Sequence, residues 1–230
     1  MNNKNSNNST IKDVRMQRKF SQREIADKLN ISRASYIALE KGVRDPKLTE
    51  AKKLADILGV SVNDFLGGEK PNFEKYKQML FAFLRNNLSR DGRVPKTKLA
   101  KLLYLADFAW YYDHLESMSG MQYRKIAYGP VPDTYFRVVD ELYEAGKIDI
   151  EKTDDGALLI SQKKGGERES TAILSREEEK LITDISKKWK NKRTKEIVDF
   201  THQQIPYTFC KENEIIPYEL IIQEDPKYVY

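Results

Sequence analysis

Apolar residues in the first 66 positions recur at helical spacing, and residues that start or stop helices punctuate them. Ile11 and Val14, with Met16, would face inward from a helix capped by Thr10 and running to about Lys19. Ser21-Gln22-Arg23-Glu24 has the form of a capping box, in which hydroxyl and carboxylate satisfy free amides reciprocally. It predicts a second helix with Ile25, Ala26 and Leu29 inward. Asn30-Ile31 forms a short turn, Ser32 caps a third helix to about Lys41, and Gly42 ends it in the left-handed conformation glycine tolerates. Asp45-Pro46 leads to a fourth helix with Leu48, Ala51, Leu54, Ala55 and Leu58 inward, stopped by Gly59. A last turn over 61–66 adds Val62, Phe65 and Leu66. Two short helices joined by so tight a turn cross steeply rather than lying antiparallel.

The outer face of the third helix is unusual. In ISRASYIALEKG, residues 31–42, the apolar side carries Ile31, Tyr36 and Leu39, and the other side carries Ser32, Arg33, Ala34, Ser35 and Ala38. Only the arginine is long. Such a face suits tight packing beneath another element, or close approach to another molecule. The second helix of a steeply crossed pair fits the DNA major groove. Charge adds to this picture. Residues 1–66 hold 13 Lys and Arg against 8 Asp and Glu, and the remainder holds 27 of each, so the net charge of +5 lies in this segment.

The residues Ser21-Gln22-x-Glu24-Ile25-Ala26, Ile31-Ser32, Tyr36, Leu39-Glu40-x-Gly42 and Pro46 resemble, in order and spacing, the XRE or Cro/C1-type helix-turn-helix of phage repressors. The resemblance implies a five-helix DNA-binding domain over 10–66; before it, the polar, Asn-rich stretch over 1–9 cannot bury a core and reads as a disordered arm. Short side chains at Ser32, Ala34 and Ala38 would admit the backbone to the groove, and Arg33 would pair bidentately with a guanine. Gln22, Lys41 and Arg44, with Arg18, are candidate phosphate contacts. The expected partner is operator DNA, bound by a homodimer on an inverted repeat. The bland alternative is a helical packing module with solvated charges.

GGEKPN, residues 67–72, reads as a hinge. Beyond it, Phe73, Tyr76, Leu80, Phe83, Leu84 and Leu88 repeat at helical intervals. KLAKLLYLADFAWYYDHLE, residues 98–116, is apolar nearly all round and predicts a helix inside its domain. Asp107 on that helix is either solvated and salt-bridged or part of a buried polar network, since an unpaired buried charge is costly. MQYRKIAY, residues 121–128, alternates like a strand, and Pro132 fits the first turn of the helix that follows and ends at Gly146. KIDIEKT, Asp154-Asp155-Gly156 and ALLISQ predict a hairpin. Ser175-x-x-Glu178 opens a helix with Leu181, Ile182, Ile185 and Trp189 inward, Thr194 starts another, and Pro206 and Pro217 break up the tail. The order resembles a winged helix, but the neutral charge argues against a second DNA-binding unit. The fold class is therefore mainly α: a five-helix helix-turn-helix domain, then a mostly helical α+β domain over 73–230 with a small sheet or hairpin.

KLLYLADF, YRKIAYGPVPDTYFRVVDEL, LSREEEKL, THQQIPY and IIPYELI look like the Panacea, or SocA-like, domain in order and spacing. In THQQIPY the aromatic expected close after His202 stands further on, at Tyr207. The resemblance implies an antitoxin of a type II toxin–antitoxin pair: the second domain neutralises a protein toxin encoded by an adjacent gene, and the first autoregulates the operon. All tyrosines and phenylalanines except Phe20, Tyr36 and Phe65 lie beyond the hinge, and Tyr128-Gly129-Pro130-Val131-Pro132 is a candidate toxin-binding loop, or else the turn that seats helix on strand. Other readings are a mobile-element repressor with a sensing or dimerising second domain, and a proteolytic adaptor for a toxin.

Candidate chemistry is sparse. His114, His202 and Cys210 do not form a zinc-spaced set, and no phosphate-cradling or nucleophile motif is present. No cofactor, metal or enzymatic activity is expected. No apolar run is long enough to span a membrane, and the single cysteine fits a cytoplasmic setting.

Overall fold

The structure, a computed structural model, describes residues 4–44, 46–59, 71–86, 88–89, 91–163 and 169–230. The chain divides into two compact units, Met1–Pro71 and Asn72–Tyr230. It is mainly α with a small antiparallel β part.

The first unit contains helices α1 (Lys4–Gln17), α2 (Gln22–Leu29), α3 (Arg33–Glu40) and α4 (Leu48–Leu58). Its core includes Ile11, Val14, Ile25, Tyr36, Leu39 and Leu54. The Ser21 capping box forms, with the Ser21 amide donating to Glu24 Oε2 at 2.7 Å and the Glu24 amide to Ser21 Oγ at 3.2 Å. Ser32 caps α3 through the Ser35 amide at 3.1 Å. Asn30 makes the α2–α3 turn with φ 58°, a left-handed conformation that asparagine tolerates.

Two expectations change here, and a third is not reached. Helix α1 starts at Lys4, so the stretch 4–9 is helical rather than an unstructured arm. No proline or glycine interrupts it, and extending a formed helix costs far less than starting one. Met16 is 57% exposed, because two residues beyond Val14 lies about 200° round the helix. The expected last turn with Val62, Phe65 and Leu66, and most of the 67–72 hinge, lie outside the described residues.

The second unit is built round α6 (Lys96–His114), which packs against α5 (Phe73–Arg85), α8 (Arg176–Trp189), α9 (Thr194–Gln203) and a 3-10 turn at Tyr218–Gln223. Every residue of α6 from Lys98 to Tyr111 is buried. A three-stranded antiparallel sheet runs in the order β1 (Val94–Pro95), β5 (Leu158–Gln162), β4 (Ile148–Lys152), with Ile150 opposite Ile160 and Ile160 opposite Val94. The expected hairpin is its β4–β5 pair. Helix α7 (Tyr135–Glu144) packs on β4, and the short α10 (Ile205–Phe209) follows α9.

The stretch 121–128 is a strand only at β2, Tyr123–Arg124. It pairs with β3, Val131–Pro132, so Pro132 is a strand residue opposite Tyr123 and α7 starts later, at Tyr135. Proline suits this two-stranded ribbon because an edge strand can spare the donor proline lacks. Pro206 lies in the first turn of α10 and does not break it.

Asp107 is fully buried and belongs to a polar network. It accepts hydrogen bonds from the Ser119 amide at 2.7 Å, Ser119 Oγ at 2.6 Å and Tyr123 Oη at 2.7 Å. Tyr123 is also held by rings: its centroid lies 5.4 Å from Tyr104 and 5.6 Å from Phe108. Much of the tyrosine content is thus core. Asp107→Ala leaves three buried donors without this acceptor and should cost on the order of 3 kcal/mol or more, read as a lower urea midpoint for the second unit. Tyr123→Phe should cost roughly 1 kcal/mol.

Candidate functional site

Two sites stand out, one in each unit. In the first, a polar relay crosses the helix-turn-helix. Arg15 Nε of α1 donates to Glu40 Oε1 of α3 at 2.5 Å, with both side chains largely buried, and Arg15 also donates to the Phe20 carbonyl at 2.7 Å. Gln22 Nε2 donates to Glu40 Oε2 at 2.8 Å, and Arg33 donates to Gln22 Oε1 at 3.2 Å. Burial works to raise the Glu40 carboxyl, but hydrogen bonds from Arg15 and Gln22 outweigh it and hold the group below the ordinary carboxylate range. The relay thus runs from a buried ion pair to an exposed guanidinium at the start of α3.

The structure puts the predicted DNA-contact residues on this surface in different states. Ser32, Arg33, Ala34 and Lys41 are exposed, and Ala38 is half-buried. The Gln22 side chain is engaged at both ends, by Glu40 and by Arg33. Arg44 is engaged within the domain. Its guanidinium holds Glu50 through two bonds, at 2.8 and 3.1 Å, and Ser35 Oγ at 3.1 Å. This pair ties the α3–α4 connection. Arg18 donates to the Leu58 carbonyl at 3.0 Å.

In the second unit, the loop 125–132 covers a buried lysine. Lys101 on α6 is 1% exposed, and its Nζ donates to the Pro130 carbonyl at 2.7 Å. Burial lowers its pKa from the ordinary lysine value to about 7. Gly129 has φ +90°, and a Cβ there would lie 2.8 Å from Lys101 Cε and 3.0 Å from His202 Nε2. Only glycine fits so close an approach. His202 stacks on Tyr207 with centroids 4.3 Å apart and planes at 5°. The distant aromatic therefore returns to the histidine, because α9 ends at Gln203 and α10 turns the chain back. Tyr207 Oη donates to the Ile126 carbonyl at 3.0 Å, and Lys125 Nζ donates to the Tyr207 and Cys210 carbonyls at 2.9 and 2.8 Å. Burial, then the neighbouring Lys101, lower the His202 pKa.

The five residues of the candidate toxin-binding loop split accordingly. Tyr128 is 75% exposed, whereas Gly129, Pro130, Val131 and Pro132 are buried. Four of them seat the loop, and one side chain presents itself. His114 is exposed and stacks on Trp110 at 3.7 Å. Sequence reasoning missed Lys98 and Lys101. Lys98 Nζ donates to the carbonyls of Trp189 and Lys192, at 2.7 and 2.6 Å, closing the C-terminal end of α8. The signal was available: a helix apolar on all sides must bury whatever cations it carries.

The fold and these surfaces define a DNA-reader type of domain joined to an α+β binding domain. Comparison with known proteins gives the families. The family described as "Helix-turn-helix" matches residues 11–65, and "Antitoxin SocA-like, Panacea domain" matches residues 99–206. The chain belongs to the helix-turn-helix transcriptional regulators through its first domain and carries a SocA-like Panacea domain as its second. It is 33% identical over 67 residues, 29% of the chain, to the cryptic phage CTXphi transcriptional repressor RstR of Vibrio cholerae. It is 41% identical over 59 residues, 26% of the chain, to the uncharacterized HTH-type transcriptional regulator YqaE of Bacillus subtilis strain 168. It is also 41% identical over 54 residues, 24% of the chain, to the uncharacterized HTH-type transcriptional regulator MJ0272 of Methanocaldococcus jannaschii. These matches span 60%, 51% and 82% of the respective relatives. No solved structure matches the chain. Neither matching family is enzymatic. No described helix is long and apolar enough to cross a membrane.

The buried lysine makes stability depend on pH. Its folded pKa of about 7 lies below the unfolded value near 10.5, so between these pH values the unfolded chain holds a proton the folded one lacks. Stability from this group therefore rises with pH through that window, by up to ~1.4 kcal/mol per unit. Urea midpoints measured from pH 6 to 10 should show this contribution in the wild type, and Lys101→Met should remove it.

Proposed function

We propose that this protein is an antitoxin of a type II toxin–antitoxin pair. Its first domain binds the operator of its own operon as a homodimer on an inverted repeat, and its second domain binds and neutralises a protein toxin encoded beside it. The observation that carries this reading is the fusion itself: a transcriptional-regulator helix-turn-helix and a SocA-like antitoxin domain in one chain. The surfaces support it. The exposed short side chains of Ser32 and Ala34 let α3 approach base edges, and Arg33 reaches out from the relay that Arg15, Glu40 and Gln22 hold in place. Arg33 reads a guanine, while Lys41 contacts phosphate.

A second reading has one observation in its favour, the likeness to a cryptic phage repressor. It is a mobile-element repressor whose second domain senses a ligand. Co-expression with the adjacent gene's product separates the two. A stable complex and rescued growth support the antitoxin, and their absence favours the repressor.

On DNA, Arg33→Ala should weaken operator binding and relax preference at one base pair per half-site, by ~1–3 kcal/mol. Lys41→Ala should weaken binding to all sequences alike and flatten the salt dependence. Equal losses for both variants across a panel of mutated operators would remove Arg33 from base reading.

A further inference from the structure

A cleft of about 670 Å³ opens between the N-terminal half of α6, the loop 126–131, the start of α7 and the β4–β5 turn. Its inner wall includes Ala100, Lys101 and Val131, all buried. Three large apolar side chains stand at its mouth: Tyr128 at 75%, Phe136 at 47% and Leu158 at 36% exposure. This volume falls in the range of ~300–1,000 Å³ typical of specific binding pockets. Exposed apolar residues gathered round one concavity mark a site for another molecule more than scattered ones do.

The polar part of the wall is selective. Among the described residues Lys101 makes one hydrogen bond, to Pro130, so its ammonium has donors to spare. Desolvation is the cause acting on it, with no carboxylate offsetting the charge. The acidic side chain on the wall, Asp155, is turned into the hairpin, where it accepts from Thr153 Oγ1. Lys96 leans over the Phe136 ring at 5.3 Å. The cleft thus joins an apolar mouth to a buried lysine that no carboxylate offsets, and what complements it is an apolar group with a carboxylate beside it, which would hold the lysine in its charged form.

We propose that this cleft is the anchor site for the toxin: an apolar side chain of the toxin seats between Tyr128, Phe136 and Leu158, and an adjacent carboxylate meets Lys101. The proposal rests on the toxin-binding reading above and narrows it to one site and one chemistry. The Tyr128–Pro132 loop is then the wall of the site rather than a surface by itself. Tyr128 closes over the anchor, and Gly129 and Pro130 bring the loop down onto the lysine.

The test has two arms, both on the full chain. In the first, N-acetylphenylalanine and its primary amide are titrated into isotope-labelled protein. The acid should shift amide signals of Tyr128, Phe136 and Leu158 and bind at least tenfold tighter than the amide, and Lys101→Met should abolish that preference. Equal binding of acid and amide, or no shift at the cleft, overturns the proposal. In the second arm the adjacent gene's product is the probe, with Tyr128→Ala and Leu158→Asp as variants. Both positions are exposed, so the fold is not at stake. Each variant should weaken the complex at least tenfold. If wild type and both variants bind alike, the anchor site is wrong and the antitoxin reading stands. If the wild type forms no complex while the acid still binds the cleft, the toxin is overturned as its occupant and the antitoxin reading falls with it.

Discussion

Helix α6 has no solvent-facing side between Lys98 and Tyr111, so every lysine and carboxylate there must be answered from another element. The answers shape the second domain. Lys98 takes the carbonyls that end α8, Lys101 takes the Pro130 carbonyl, and Asp107 takes Ser119 and Tyr123. Apart from Tyr123, which lies in β2, each partner lies in a connecting segment or at a helix end. Apolar contacts hold the helices together, but they are tolerant of small shifts. The buried polar groups are not, because a displaced partner leaves a charge or a donor unpaired. They therefore fix the loops more than they strengthen the fold.

The helix-turn-helix uses the same device on a smaller scale. Arg15 and Glu40 join α1 to α3 inside the core, and Gln22 carries the contact outward to Arg33. A long exposed arginine would otherwise sample many rotamers, and ordering it on DNA would cost entropy. The relay restricts it beforehand. Arg44 bonds Glu50 and Ser35 and so joins α3 to α4. Arginines in one short segment thus stand in three different settings: Arg15 in the core, Arg33 on the exposed face of α3 and Arg44 between α3 and α4.

The two domains offer unlike surfaces. The reader face is thin and polar, with short side chains that leave room for a groove. The cleft is concave and apolar, with a single buried cation in its wall. The first suits a regular polyanion, whose charge is the same along its length. The second would suit one particular group, because an apolar mouth excludes most polar surfaces and no carboxylate stands beside Lys101.

The sequence by itself determined the helix-turn-helix, the β4–β5 hairpin and the burial of α6, because periodicity, caps and turn residues are local signals. It also located Asp107 as a group in need of partners. The tertiary structure decided which partners. Pro132 became a strand residue through pairing with Tyr123, and the Arg44 side chain was claimed by Glu50. Lys101 met Pro130 across 29 residues, and His202 met Tyr207 only because α10 turns back. Such contacts join residues that no local pattern relates. They are selected by which buried polar groups can be satisfied together once the apolar faces have packed.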